Sequence, residues 1–358
     1  MTTRTKILKD LLSVHHIDAL LISNHYNILY LTSFHGLSPE EREAWVLATR
    51  NNVYLFTDAR YSHFHSNNIT VIEITPEKPL REHLKEIAIK EYISSSGCES
   101  DDLRMNEYEI LQKFLPSLKG FPHIFREQRT IKSIEEISLI KRACEYTDQC
   151  FKDIVKEIRS GLTEREIAFK IETWIRSHHF DTAFYPIVAV NEHAAIPHFN
   201  TKTDGNKKVE KHSHILIDFG IRYKNYCSDM TRMICVGEPS NEYVNVYKAL
   251  FAVQEKAIQL LLPHASYADI DTQTRKTIQE KGYPLIPHSL GHGVGLEIHE
   301  YPKISHSGTD YVKNGHVITI EPGIYLPGKF GIRIEDTVAI ENGEAIVLTK
   351  TPKALLNI

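Results

Sequence analysis

Two segments of this chain place acids in pairs inside runs of strand-forming residues, where an interior would normally exclude them. The first, HILIDFGIRYKNYCSDMTRMICVG, reads as two apolar strands joined by the polar stretch Arg222–Asn225. Folding it about that stretch puts Asp218 opposite Asp229, where cross-strand Cβ atoms stand about 4.5–5.5 Å apart. Two carboxylates so close must share a proton or be neutralised by a cation. On this segment alone, two aspartates at solvated strand ends explain the pattern equally well.

The second segment shifts that balance. VITIEPGIYLPGKFGIRIEDTVAI carries Glu321 and Glu335 on apolar strands around a Pro327-Gly328 turn. Four anions cannot share a core unaided, because burying one unpaired ion costs several kcal/mol. Two divalent cations would balance them, and oxygen-rich ligation with one imidazole suits manganese or a similar first-row ion. The imidazole is expected from HSLGHGVGLEIHE. His288 and His292 have the spacing of a zinc-protease helix, but Ser289 follows the first histidine and three glycines break any helix. GHGVG also lacks the GxGxxG spacing of a dinucleotide loop. The triplet Asp218-Phe219-Gly220 lacks every companion motif of a kinase.

A chain of 358 residues is expected to form two domains. Ile7, Leu8, Leu11 and Leu12 follow helical spacing, and DALLIS reads as a buried strand, so the chain opens as α/β. WVLATR and NVYLFTD flank Asn51-Asn52, a pair suited to a left-handed hairpin turn. TVIEI adds a strand, and PLREHLKEIAIK a helix begun by proline. The first domain is placed at 1–128 and the second at 129–358, since a long helix begins near Ser133 with Glu135 and Glu136 following. Gly161 is expected to stop that helix, and Thr163 with Glu166 to start the next, with Ile167, Ile171 and Ile175 on its apolar face. The strand IVAV, the two hairpins and helices near 241–262 and 267–281 make the second half α+β.

A net charge of −4 gives no reason to expect nucleic acid or an anionic membrane as partner. Five cysteines form no short framework, which suits free thiols in the cytoplasm, and no apolar stretch matches a signal peptide or a membrane span.

With these motifs in order, the sequence resembles the proline-specific peptidases of the pita-bread fold, the aminopeptidase P and prolidase group. DALLISNHYNILYLTSF and FTDARY are similar to that group's N-terminal domain, and everything from about Ser133 onward to its catalytic domain. The resemblance implies hydrolysis of the bond before proline in peptides by an Xaa-Pro aminopeptidase or dipeptidase, in a homodimer. Two divalent ions, manganese foremost with cobalt or zinc as alternatives, would be its cofactors. Asp218 would hold one ion, His292 and Glu321 the other, and Asp229 and Glu335 would bridge them. His198, in IPHFNT, and His299 would touch the substrate and stabilise the tetrahedral intermediate. His288 would line the pocket, Arg333 would support the carboxylates and Glu321 would shuttle the proton. For His198, His288 and Arg333, ordinary packing beside the site is an equal alternative.

Asn225 and Asn191 stand where the family has glycine; asparagine best tolerates the positive φ expected there. Asn191 and Glu192 would lie near the substrate cleft. Two rival readings share the fold: an inactive module binding peptides or proteins, and a creatinase-like amidinohydrolase that works without metal. Retention of all five ligands weighs against both.

Overall fold

The computed structural model describes residues 3–38 and 41–358, and the chain divides into two compact units, Met1–Gln128 and Arg129–Ile358. In the first unit, ALLI (Ala19–Ile22) and AWVLAT (Ala44–Thr49) are buried at every position. Such runs belong in a sheet covered on both faces. The sheet has six strands in the order Thr70–Glu73, Val53–Thr57, Ala44–Thr49, Ala19–Ile22, Ser96–Glu99, Leu118–Phe121, with both parallel and antiparallel neighbours. Helix Leu80–Lys90 buries Leu84, Ile87 and Ala88, and Pro79 stands at the N-cap, one position before the first helical residue where it was expected, without a side-chain capping bond. The expected hairpin at Asn51-Asn52 forms, but neither asparagine enters the left-handed region. Thr49 closes that turn instead, its N–H donating to Asn52 O at 2.8 Å.

The second unit is α+β. Ser133 and Thr163 each accept a hydrogen bond from the backbone three residues on, while Glu136 and Glu166 reach back, so both expected capping boxes form. The helices they start, Ile134–Val155 and Glu164–Ser177, pack with the strands Ile187–Val190, His214–Phe219 and Met230–Cys235 in one buried cluster. Helices Asn241–Gln259 and Tyr267–Glu280 cover the strands Val317–Ile320 and Asp336–Glu341 in another.

Gly161 does not stop the first of these helices. The helix ends at Val155, because the backbone tightens so that Ile158 joins Ile154 in the core. Gly161, at φ +97°, instead turns the chain towards Thr163, its N–H donating to Val209 O at 2.8 Å.

The first acidic hairpin differs from its expected register. Lys224 and Asn225 both adopt positive φ, the signature of a two-residue type I′ turn. The turn therefore centres between them, and Asp218 pairs with Thr231. Asp229 falls opposite Gly220 by the same register, so the two aspartates are diagonal neighbours on one face rather than a facing pair. The second ribbon keeps its expected turn: Gly323–Leu326 pairs with Phe330–Arg333, and Val317–Ile320 with Asp336–Glu341. One register runs through both, which sets Glu321 across from Glu335 at the point where the ladder opens. There the backbone N–H of Glu321 donates to Leu290 O at 2.9 Å and that of Glu335 to Thr231 O at 3.3 Å. The opening thus joins the two acidic ribbons to each other and to the glycine-rich segment.

Gly331 shows how closely the surrounding loop approaches. A Cβ there would sit 1.9 Å from Ala194 O, in the short helix Asn191–Ala195 that leads to His198. Gly331→Ala is expected to cost about 2–3 kcal/mol by overpacking and to lower the apparent Tm by roughly 5–10 °C in calorimetry. An unchanged Tm would mean that the loop is not held as described.

Candidate metal centre

Asp218, Asp229, His292, Glu321 and Glu335 converge on one cavity of about 450 Å³ in the second unit, and His198, His288, His299 and Arg333 line it too. Phe184, Ile187 and Pro197 supply an apolar wall. All nine residues singled out from the sequence therefore share a single cavity.

The glycine-rich segment is a strand, Gly291–Gly293, and its glycines are required by contact. A Cβ on Gly291 would lie 2.0 Å from Thr319 O, and one on Gly293 would lie 2.1 Å from Tyr301 O. His292 sits between them with Nδ1 3.1 Å from Gly293 O. Donation to that carbonyl leaves the Nε2 lone pair free to ligate. Nε2 is 3.4 Å from Glu321 Oε1 and 3.5 Å from Asp229 Oδ2. Ligand atoms of Asp229, His292 and Glu335 all lie within 4.8 Å of one another.

Electrostatics make this cluster unstable as bare anions. Burial, followed by repulsion from Glu335, Asp218 and Glu321, pushes the Asp229 carboxyl well above its usual range. Burial with Glu321 and Asp218 does the same to Glu335. Burial pushes Glu321 up to about 8 and raises Asp218 despite Arg333 beside it. The same burial pushes His292 down to about 3 and His288 to about 4, so both imidazoles are neutral near pH 7.

The exposed Lys303 also lines the cavity, but the buried cation of the site is Arg333. Its Nη2 lies 2.5 Å from Asp218 Oδ2, its Nε donates to Thr231 Oγ1 at 3.1 Å, and Thr231 donates to Glu335 Oε2 at 2.6 Å. Its Nη1 reaches Tyr325 OH at 3.1 Å, and that hydroxyl lies 2.8 Å from His288 Nε2. Thr231 and Tyr325 belong to the site yet escaped the sequence reading. Thr231 had a local signal, two residues after Asp229 on the same strand face. Tyr325 had none, because it meets His288 only through the fold.

The residues fit a pair of divalent cations. Asp218 Oδ1 is buried without a hydrogen-bond partner, an acceptor left for something other than protein. Four carboxylates outweigh the buried Arg333 and the exposed Lys303 that also lines the cavity, an excess of negative charge that two divalent ions would offset. Hard oxygen donors and one imidazole are the ligand chemistry of such ions. Among the described residues, no helix is long and apolar enough to cross a membrane.

Comparison with known proteins agrees. Residues 138–342 match the model of metallopeptidase family M24, and residues 4–131 that of the creatinase/prolidase N-terminal domain. A Pyrococcus horikoshii protein named Xaa-Pro dipeptidase is 34% identical over 360 residues, covering 99% of each chain. The solved Xaa-Pro dipeptidase from Bacillus anthracis superposes with a TM-score of 0.92 at 29% identity, covering 99% of both chains. The X-Pro aminopeptidase of Thermotoga maritima superposes at 0.88 with 32% identity, over 98% of this chain and 100% of that one. An α/β domain of creatinase type followed by a pita-bread catalytic domain, its acids and histidine gathered in one cavity, places this chain in metallopeptidase family M24.

Proposed function

We propose that this protein hydrolyses the peptide bond preceding proline, as an Xaa-Pro dipeptidase or aminopeptidase using two divalent metal ions. The observation that carries this reading is the convergence of three buried carboxylates, the partly buried Glu321 and a neutral histidine on one cavity with an apolar wall. The names of the relatives, Xaa-Pro dipeptidase and X-Pro aminopeptidase, support the choice of bond.

Asp218, Asp229, His292, Glu321 and Glu335 would hold the ions. When bound, such ions lower the pKa of water towards neutrality and polarise a substrate carbonyl. The chain's own groups would do the rest. Phe184 and Ile187 offer an apolar surface for the proline ring. As a water oxygen adds to the carbonyl carbon, Glu321 would take the water's proton at a carboxylate oxygen and pass it to the proline nitrogen as the C–N bond breaks, leaving a free carboxylate and a free proline amine. His198 and His299 would donate hydrogen bonds to the carbonyl oxygen as negative charge builds on it. Arg333 and Thr231 would hold Asp218 and Glu335 in place. His288, fixed by Tyr325, would shape the pocket.

Manganese fits the oxygen-rich donor set best, with cobalt and zinc as alternatives. We assign residues 1–128 to the N-terminal domain and 129–358 to the catalytic one, and expect a cytoplasmic homodimer with no nucleic-acid or membrane partner. The five cysteines are all free and buried, in keeping with a reducing compartment.

The test is hydrolysis of Xaa-Pro and Xaa-Pro-Xaa peptides by purified protein loaded with manganese, with Xaa-Ala peptides as control. Turnover of the proline substrates should fall at least about 100-fold on chelation and return with metal. A rate that survives chelation ends the metal reading, and cleavage of Xaa-Ala at an equal rate ends the proline reading. A binding module of the same fold would take up peptide without turnover.

A further inference from the structure

The segment Val294–His299, which presents His299 to the cavity, has no regular secondary structure. Three cations hold it. Arg222 Nη1 donates to Leu296 O at 2.6 Å. Arg129 Nη2 lies 2.6 Å from both Glu297 Oε1 and Glu300 Oε2, and Lys132 Nζ lies 2.6 Å from Glu300 Oε1. The Lys132 and Glu300 side chains are only 1% and 7% exposed. Gly295 is shaped around this arrangement: a Cβ there would stand 2.1 Å from Glu300 Oε1, so the carboxylate fills the inside of the turn. Cys227 N–H secures the same turn from outside, donating to Gly295 O at 2.8 Å.

Two acids and two bases thus form a charge-balanced quartet next to the cavity, with Lys132 and Glu300 almost dry, Arg129 mostly buried and Glu297 a third exposed. Such a quartet is a poor way to gain stability, since well-packed apolar groups of similar volume often serve as well. What it supplies is direction: Arg129 Nη2 donates a charge-assisted hydrogen bond to Glu300 Oε2, which fixes distance and angle together, and Lys132 adds a close ion pair to the same carboxylate. The group whose direction matters here is the next residue, His299, whose ring centroid lies 4.4 Å from that of His292.

We propose that Glu300, gripped by Lys132 and Arg129, is a positioning residue that sets the His299 imidazole in the cavity. The inference rests on the reading of His299 as a group that touches substrate, and it deepens that reading by naming what holds the histidine. It also means that residues 129–132, the first of the second unit, take part in building a site whose other parts lie far along the chain.

The experiment uses the metal-loaded full chain with Glu300→Gln and, in case that variant folds poorly, Lys132→Met, with Lys132→Arg as the conservative control. Hydrogen exchange followed by mass spectrometry should show amides 294–300 exchanging about ten-fold faster or more in the first two variants, with strands 317–320 and 336–341 unchanged. In Xaa-Pro turnover, kcat should fall about ten-fold with KM and metal content preserved, and Lys132→Arg should recover most of it. In a His299→Ala background, Glu300→Gln should cost nothing more, because both changes remove one function. Unchanged exchange in 294–300, or losses that multiply in the double variant, would overturn the proposal. If the wild type fails to cleave Xaa-Pro, the proposed activity is wrong, and the exchange measurement still decides whether Glu300 holds this segment.

Discussion

Glu335→Gln is expected to abolish turnover, by about 10³-fold or more, while making the metal-free protein more stable than the wild type. Both effects come from one carboxylate. Glu335 is expected to bridge the two ions, so its loss should cut metal content from about two per chain to one or none, and several kcal/mol of transition-state stabilisation go with it. In the absence of metal the same carboxylate is a liability, because burial together with Glu321 and Asp218 opposes its charge. Glutamine keeps the shape and still accepts the Thr231 hydroxyl, which lies 2.6 Å from Glu335 Oε2. Removing a carboxyl that must either keep its proton or sit charged among other acids should raise the stability of the chelated protein at pH 8 by on the order of 1–2 kcal/mol, or roughly 3–6 °C in apparent Tm. Metal analysis, turnover and calorimetry of chelated samples make the three measurements. A chelated variant less stable than the chelated wild type would mean that Glu335 is structural and that the cluster's repulsion has been misread.

The acids themselves were legible because their offence is local. Apolar neighbours on both sides of Asp218 and Glu321, and on one side of Asp229 (Met230) and Glu335 (Ile334), announce burial, and four buried anions demand counter-charge whatever the fold. The second ribbon's turn was legible, since Pro327-Gly328 marks it, but its register was not: the loop takes in Lys329 as well, Leu326 pairs with Phe330, and that pairing is what sets Glu321 across from Glu335. The first ribbon was displaced because lysine gives no sign that it will accept positive φ, as Lys224 does beside Asn225. The shift moved the pairing by two residues, which in a strand restores the same face, so the site survived the error. Asn191 and Asn225, standing where glycine was expected, both carry the positive φ anticipated for them. What stayed hidden is what depends on distant pairing. Arg129 and Glu300 are 171 residues apart, and Tyr325 reaches His288 across 37, so no window along the chain contains either contact. The end of the helix at Val155 was missed for a related reason: the pull on Ile158 comes from the core it joins, and Gly161 is only the nearest visible breaker.

Between about pH 6.5 and 8 the chelated protein should lose stability as pH rises, and saturating metal should remove most of that loss. The window follows from two sets of groups with opposite slopes. His288 and His292, pushed down to about 4 and 3 by burial, stay neutral in the folded protein while the unfolded chain charges near 6.5, so they add stability as pH climbs towards 6.5 and nothing beyond it. The raised acids act the other way. Folded Glu321 keeps its proton up to about 8, and Asp229 and Glu335 lie well above their usual range, whereas the unfolded chain has released these protons by about pH 5. Stability from such groups is fully present below the unfolded values and is lost as pH rises through the folded ones. Each fully linked proton contributes about 1.4 kcal/mol per pH unit, so one such group predicts a loss of about 2 kcal/mol across the window, or roughly 4–8 °C in apparent Tm. Glu99 in the first unit, pushed up to about 7 by burial, contributes in the same direction with or without metal. The comparison between chelated and loaded protein therefore isolates the cluster. Metal must displace the cluster's protons to bind, so calorimetric titration at pH 7 in buffers of different ionisation enthalpy should register at least about one proton released per chain. A chelated protein whose Tm stays flat or rises from pH 6.5 to 8, or metal uptake without proton release, would show that the four carboxylates do not face one another as buried anions.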